Sequence, residues 1–131
     1  MKIKQYTDLS KINESKLDQL QYYIYILENI DGYIKIGRTH DIVKRINSLS
    51  NSNTGGSKII KCAISPPTYL RTIETSMHIH FNKYRTEGEW FENITFDEIL
   101  SYLQKAFDSK KYQEVNNLRR DFGGYRGRVA S

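Results

Sequence analysis

The run Tyr22–Leu27 (YYIYIL), the tetrapeptide Asn29-Ile30-Asp31-Gly32 and the return run Tyr33–Gly37 (YIKIG) leave this chain few ways to fold locally. The first run is aromatic and β-branched, which suits a pleated, half-buried strand. Asp-Gly between two apolar runs supplies the positive φ that a tight hairpin turn demands. The sequence therefore predicts an antiparallel hairpin. Side chains on a strand alternate between faces. With Ile24 and Ile26 toward the core, Tyr23, Tyr25 and Leu27 face the other way. On the return strand Ile34 and Ile36 join the core face, and Tyr33, Lys35 and Gly37 share a face with Tyr25.

Beyond the hairpin the chain reads Arg38-Thr39-His40 and then a helix capped by Asp41 and running to about Ser50, with Ile42, Ile46 and Leu49 on its buried side. Lys44 and Arg45 fall beside that stripe. Tyr25, Lys35, Arg38 and Arg45 thus come close together on a small scaffold. Asp31 and Asp41 are the only carboxylates between Glu28 and Arg45. A phenol, an ammonium and guanidiniums so placed want an anion, and phosphate is the commonest candidate.

The remaining elements follow from periodicity and breakers. Leu9–Leu20 has near-helical apolar spacing and predicts an N-terminal amphipathic helix. Asn51–Ser57 (NSNTGGS) reads as a loop, and Lys58–Ser65 as a third strand. Pro66-Pro67-Thr68 breaks the pattern. Tyr69–Tyr84 carries Leu70, Ile73, Met77, Phe81 and Tyr84 at helical spacing, with Glu74 and His78 four apart on one face and Arg71 a turn earlier. Glu87-Gly88-Glu89-Trp90-Phe91 is a turn into a short strand. Thr95–Phe107 opens with a Thr95/Glu98 capping box. From Lys110 the chain is a polar, basic helical extension fading into a tail. The expected fold is α+β: a small three-stranded antiparallel sheet flanked by helices. It comprises a helical lead-in over residues 1–21, the domain proper over 22–108, and a basic extension over 109–131.

A chain of 131 residues has room for one core. No apolar run approaches membrane-spanning length, and MKIKQYTDLSK lacks a signal peptide's apolar centre, so the expectation is a cytoplasmic protein without membrane contact. Its richness in Asn, Ile and Lys is that of an AT-rich genome, which fits a virus-encoded protein acting in its host cell. Cys62 is alone, which excludes an internal disulfide and a cysteine-based zinc site. Net charge is +5, favouring a polyanionic partner. Residues 35–71 hold seven Lys/Arg and one Asp, residues 72–109 three Lys/Arg against seven Asp/Glu, and residues 110–131 six against two. Such blocks serve as solvated faces in any protein; a basic strip beside an acidic segment is also what a metal-dependent enzyme acting on nucleic acid requires, and charge alone does not choose between the two.

Tyr25, Lys35, Arg38, Arg45, Glu74 and His78 are sufficient in kind for phosphodiester hydrolysis. One carboxylate can hold a single divalent ion as Lewis acid. A tyrosine beside a cation acquires a lowered pKa and serves as base, and a lysine or arginine stabilises the transition state. Glu74, among apolar neighbours, needs a cation, a metal or water as partner. Arg71 and Arg45 are the candidate structural partners, and His78 has an alternative as a satisfied core histidine. Glu87/Glu89 and Asp97/Glu98 are explained by their turn and cap. The candidate nucleic-acid contacts are Arg38, Lys44, Lys58, Lys61, Arg71, Arg119, Arg120, Arg126 and Arg128. Phosphate-loop and dinucleotide glycine patterns are absent, as is the spacing of a helix-borne zinc protease motif.

The order of these residues resembles the GIY-YIG nuclease superfamily. Tyr23-Ile24-Tyr25 looks like the first signature tripeptide, Lys35-Ile36-Gly37 like the second, Arg45 like the helix arginine and Glu74 like the metal-binding glutamate. The nearer likeness is to its phage-type branch, often labelled a DNA-binding domain, whose K-I-G-R-T, helix arginine, E-x-x-x-H and G-E-W-F read here as Lys35–Thr39, Arg45, Glu74/His78 and Gly88–Phe91. Tyr23 stands where glycine is usual and Lys35 where tyrosine is usual. The late asparagine has no clear equivalent, Asn93 being the nearest. The resemblance implies single-metal cleavage of DNA, with Tyr25 near the attacking water, Arg45 on the phosphate and Glu74 on one magnesium or manganese ion. The expectation is thus a magnesium-dependent DNA endonuclease, the alternative a DNA-binding protein that keeps the fold without cutting. Sequence specificity calls for a homodimer, a protein partner or the basic tail Arg119–Arg128. Loss of the residues after Lys110 is expected to weaken DNA binding more than thermal stability.

Overall fold

The hairpin forms where the sequence puts it. In the computed structural model, which describes residues 2–13, 16–51 and 58–129, strand β2 (Tyr23–Asn29) pairs antiparallel with β3 (Ile34–Thr39), Tyr25 opposite Gly37 and Leu27 opposite Lys35. The buried Asn29 side chain closes the turn by accepting from the N–H groups of Asp31 (3.1 Å) and Tyr33 (2.9 Å). Gly32 takes the expected positive φ of 87°.

Around this hairpin the sheet grows outward on both sides. The third strand, β4 (Ile59–Ile64), flanks β2, and β1 (Lys4–Tyr6) pairs beyond it; β5 (Trp90–Phe91) lies on the far side of β3. All pairings are antiparallel, in the order β1-β4-β2-β3-β5. Four helices complete the fold: α1 (Ile42–Asn51), α2 (Thr72–His80), α3 (Phe96–Asp108) and α4 (Lys110–Val129). The three expected strands form the centre of this sheet, and two short edge strands extend it.

Alternation along the strands sorts side chains into two cores, as the sequence anticipates. Ile24, Ile26, Ile34, Ile36 and Ala63 pack with α2 and α3 through Ile73, Met77, Ile99, Leu103 and Phe107. On the opposite face Tyr23, Tyr25, Leu27, Cys62 and Ile64 pack with Ile42 and Ile46 of α1. The central sheet is thereby buried on both faces. No helix of the described residues is long and apolar enough to cross a membrane.

Two expected elements differ. In place of a helix over Leu9–Leu20 the described residues give a single 3-10 turn, Leu9–Lys11, which follows the edge strand β1. The Asp8 carboxylate caps that turn, accepting from both the amide and the hydroxyl of Ser10 (3.0 and 2.6 Å), and the turn ends where Ile12 leaves helical geometry (ψ 120°). The segment's apolar residues still find burial, Ile12 packing into the α1-side core with Leu9 and Leu17 against it. So short a segment is marginal as a helix, and after the 3-10 turn the burial of Ile12 holds its course. The predicted long helix over Tyr69–Tyr84 is α2 followed by a 3-10 turn, Asn82–Tyr84. The expected loop at Asn51–Ser57 lies outside the described residues from position 52 on.

The basic extension is helical and its first half is part of the core. Ser109 leaves helical geometry (ψ 129°), separating α3 from α4. Two turns into α4, the buried Asn116 accepts from the Thr68 hydroxyl (3.0 Å) and the Tyr69 amide (2.9 Å), while the Tyr112 hydroxyl donates to Thr68 (2.8 Å). Thr68 in turn accepts from the Leu70 amide (3.1 Å) at the approach to α2. This anchoring runs against the expectation that the extension serves binding more than stability. Asn116→Ala, by leaving buried donors unpaired, is expected to destabilise the fold by about 1–3 kcal/mol in urea unfolding. Truncation after Ser109 should lower the melting temperature further; an unchanged melt for both would show that α4 does not belong to the core.

Candidate metal centre

Because β5 is two residues long, it covers only the first half of the β3 edge. Ile34 and Lys35 pair with Phe91 and Trp90, and the Ile36 amide donates to the Glu89 carbonyl (3.1 Å). There the strand pairing stops. The Ile36 carbonyl, on the same edge, is taken instead by His78 Nε2 at 2.9 Å. Helix α2 supplies that imidazole because Ile73 and Met77 face the core and hold Glu74 and His78, one turn apart, against the exposed stretch of β3.

Glu74 is 6% exposed, so its charge must be compensated. Its Oε1 accepts from the Arg38 guanidinium at 2.7 Å and its Oε2 lies 2.6 Å from His78 Nε2. Burial pushes the Glu74 pKa up, but the hydrogen bond and charge of His78 and the charge of Arg38 outweigh it, leaving the carboxyl below its ordinary value. The same bond raises His78 against the opposing effect of its burial. Nε2 faces two oxygens, which assigns it the proton. The structural partners of Glu74 are therefore Arg38 and His78, in place of Arg71 or Arg45.

The turn Glu87–Trp90 brings in a second carboxylate. Gly88 sits at φ 57°, a conformation open to glycine at little cost, and the turn closes through Trp90 N–H to the Glu87 carbonyl (2.9 Å). Phe91 is then fully buried beside the His78 ring, and Glu89 is aimed at the cluster. Its carboxylate meets Lys35 Nζ at 3.2 Å, and that ammonium also lies 5.4 Å from the Trp90 ring centre. One ligand atom each from Glu74, His78 and Glu89 lie within 4.8 Å of one another. Side-chain rotation can bring such donors to the roughly 3–4 Å that separates ligands on one ion. Two carboxylates and an imidazole suit a divalent ion, and the group could hold one. Glu89 was not legible as a ligand because its turn already accounted for it; the G-E-W-F motif was the available signal.

Tyr25 approaches the cluster through β3. It stands opposite Gly37, and a Cβ at that position would overlap the phenol oxygen. Glycine is thus required there to let the ring lie across the strand. The phenol is 1% exposed, and burial, with the charge of Glu89 next, pushes its pKa up despite the opposing charge of Arg45. This reverses the lowered pKa expected from the sequence. As built, the site favours the protonated phenol.

The other expected residues divide. Arg45 and Lys44 are exposed on the first turn of α1, whose cap Asp41 accepts from the Lys44 amide at 3.0 Å. Arg71 is exposed just before α2. Lys58 lies at the hairpin-turn end, its carbonyl accepting from Ile30. Lys61 stacks over Phe96 at 4.7 Å, on the α3 side of the sheet and away from Tyr25. Arg119 and Arg120 are exposed on α4, with Arg120 bonded to Asp121; the side chains of Arg126 and Arg128 lie outside the described residues. Asn93 occupies the turn before α3 at φ 61°, lining a cleft with Tyr33 and Glu98 rather than the Glu74 cluster.

Comparison with known families gives one match: the model described as the T5orf172 domain fits residues 22–114, from the start of β2 into α4. No curated protein and no solved structure matches the chain.

The cluster makes a direct prediction about metal affinity. Arg38 and Lys35 occupy the carboxylates that an ion needs, so they compete with it. In calorimetric titration with Mn²⁺, Arg38→Gln is expected to tighten binding on the order of tenfold, the size of a one-unit electrostatic perturbation. Glu89→Gln should weaken it by a similar factor. Unchanged affinity in both variants would remove the cluster as the metal site.

Proposed function

The chain belongs to the T5orf172 domain family, a phage-associated domain in the endonuclease context, and from that premise we propose that it is a magnesium- or manganese-dependent DNA endonuclease of GIY-YIG type. One observation carries the reading: a Glu-His-Glu donor group at the open edge of β3, with Arg38, Lys35 and Tyr25 beside it. Hydrolysis joins a water oxygen to phosphorus and releases one sugar oxygen. Charge building on the phosphate must be neutralised in a fixed geometry.

Glu74 and Glu89 would hold the ion, which would supply a Lewis acid when bound. Arg45, exposed at the start of α1 and within electrostatic reach of Tyr25, takes the phosphate. Arg38 and Lys35, once their carboxylates turn to the ion, serve the same anion. Tyr25 keeps its proton and orients the water by hydrogen bonding. His78, fixed on the Ile36 carbonyl, sets the angle at which Glu74 is presented.

A second reading rests on a specific contact. Both oxygens of Glu74 are already taken at hydrogen-bond distance, one by the Arg38 guanidinium and one by the His78 imidazole, an arrangement complete as a structural ion pair. That favours a DNA-binding protein which keeps the fold without cutting.

A cleavage assay with and without Mg²⁺, comparing the wild-type chain with Glu74→Ala, separates the two. The endonuclease reading expects metal-dependent cutting and a loss on the order of a hundredfold or more in the variant. No cutting of duplex, branched or single-stranded DNA, with binding retained, leaves the second reading standing. In both, affinity should fall steeply as salt rises, because phosphate contacts release counterions; a flat salt response contradicts DNA as the partner.

A further inference from the structure

Three planar groups meet where β2 begins and β3 ends. The Tyr22 and His40 rings lie 4.2 Å apart at 35°, and the Arg38 guanidinium carbon lies 5.7 Å over the Tyr22 ring. The backbone of Tyr22 is pinned by two hydrogen bonds to Thr68, at 2.7 and 2.8 Å. Neither ring belongs to the buried cores; Tyr22 is half-buried and His40 exposed. Arg38 is also the residue that grips Glu74. One guanidinium thus joins an aromatic stack to the candidate metal centre.

A nucleotide needs this pairing: a flat π-surface for its base and a cation one side chain away for its phosphate. We propose that Tyr22, His40 and Arg38 form a stacking platform for the nucleobase adjoining the phosphate held at the Glu74 cluster. The proposal rests on the DNA reading above and adds the state of the strand that the site accepts. Inside a duplex both faces of a base are covered by its neighbours, so a base reaches the platform only from a single-stranded, frayed or branched segment. Every base has a π-face, so the platform selects strand state and not sequence.

Fluorescence anisotropy on the full chain without added divalent ion tests this, using a short oligothymidylate, a same-length strand of abasic sites, and a blunt duplex. The wild-type protein is expected to bind the oligothymidylate on the order of tenfold tighter than the abasic strand, the worth of one stacked base. Tyr22→Ala and His40→Ala should each lose most of that difference while binding the abasic strand as before. Tyr22→Phe should keep it. Thermal melts of the variants establish that they fold, and circular dichroism on Tyr22→Phe provides the reference. Equal binding of the two strands by the wild type, or alanine variants that still distinguish them, overturns the platform and leaves the DNA reading intact. No binding to any of the three overturns both.

Discussion

A carboxylate buried between a helix and a strand edge organises this molecule. Glu74 loses nearly all its hydration when α2 docks, and an uncompensated charge there would cost several kcal/mol. Two side chains from different elements answer it: the Arg38 guanidinium from β3, 36 positions earlier in the chain, and the His78 imidazole from the next turn of its own helix, held toward its cationic form. His78 also completes the edge of β3 by taking the Ile36 carbonyl. One set of bonds therefore fixes the position of α2, closes the sheet where β5 stops, and holds a carboxylate in a single orientation. A buried ion pair of this kind contributes little net stability compared with apolar packing. What it supplies is geometry, which a site for chemistry needs more.

The rest of the fold brings backbone and charge to that point. Gly37 lets the Tyr25 ring cross β3, and Gly88 bends the chain so that Glu89 faces the cluster while Phe91 drops into the core. Thr68 ties the opposite end together, binding the backbone of Tyr22 and accepting from the Leu70 amide under the hold of Asn116 and Tyr112 from α4. The C-terminal helix is thus connected by named hydrogen bonds to the loop that launches α2. Its basic outer face and its buried inner face belong to one element, and the net charge of the segment conceals that division.

Much of this was legible because it is local or periodic. The hairpin, its turn, the two-faced alternation and α1 with its Asp41 cap follow from residues adjacent in sequence. Glu74 and His78 were visible as a pair because helical spacing places them together. Long-range pairing was not legible. Nothing in the sequence says that Arg38 rather than Arg45 or Arg71 meets Glu74, since all three are arginines at reachable distances. The N-terminal segment reads as a helix because helical spacing is all the sequence offers. The strand that does form at this end, β1 over Lys4–Tyr6 just upstream, depends on the free edge of β4, a fact that exists only once the sheet is built. Tyr25 shows the same limit for electrostatics: nearby cations argue for an easier ionisation, but burial depth, invisible in sequence, outweighs them.

The charges around the cluster also say something about order. Glu74 and Glu89 stand against Arg38, Lys35 and a His78 held toward its cationic form, so the group as built does not present a surplus of negative charge. A divalent ion entering such a group must displace cations from both carboxylates. The displaced Arg38 and Lys35 then need an anion, and a phosphate is the partner whose geometry fits a guanidinium. Each ligand removes the obstacle to the other: phosphate neutralises the cations that oppose the ion, and the ion releases the cations that bind phosphate. Linkage makes that dependence mutual. On the proposed function, a site wired in this way would hold metal firmly only with the strand present, which would couple the arrival of a Lewis acid to the arrival of the bond it acts on.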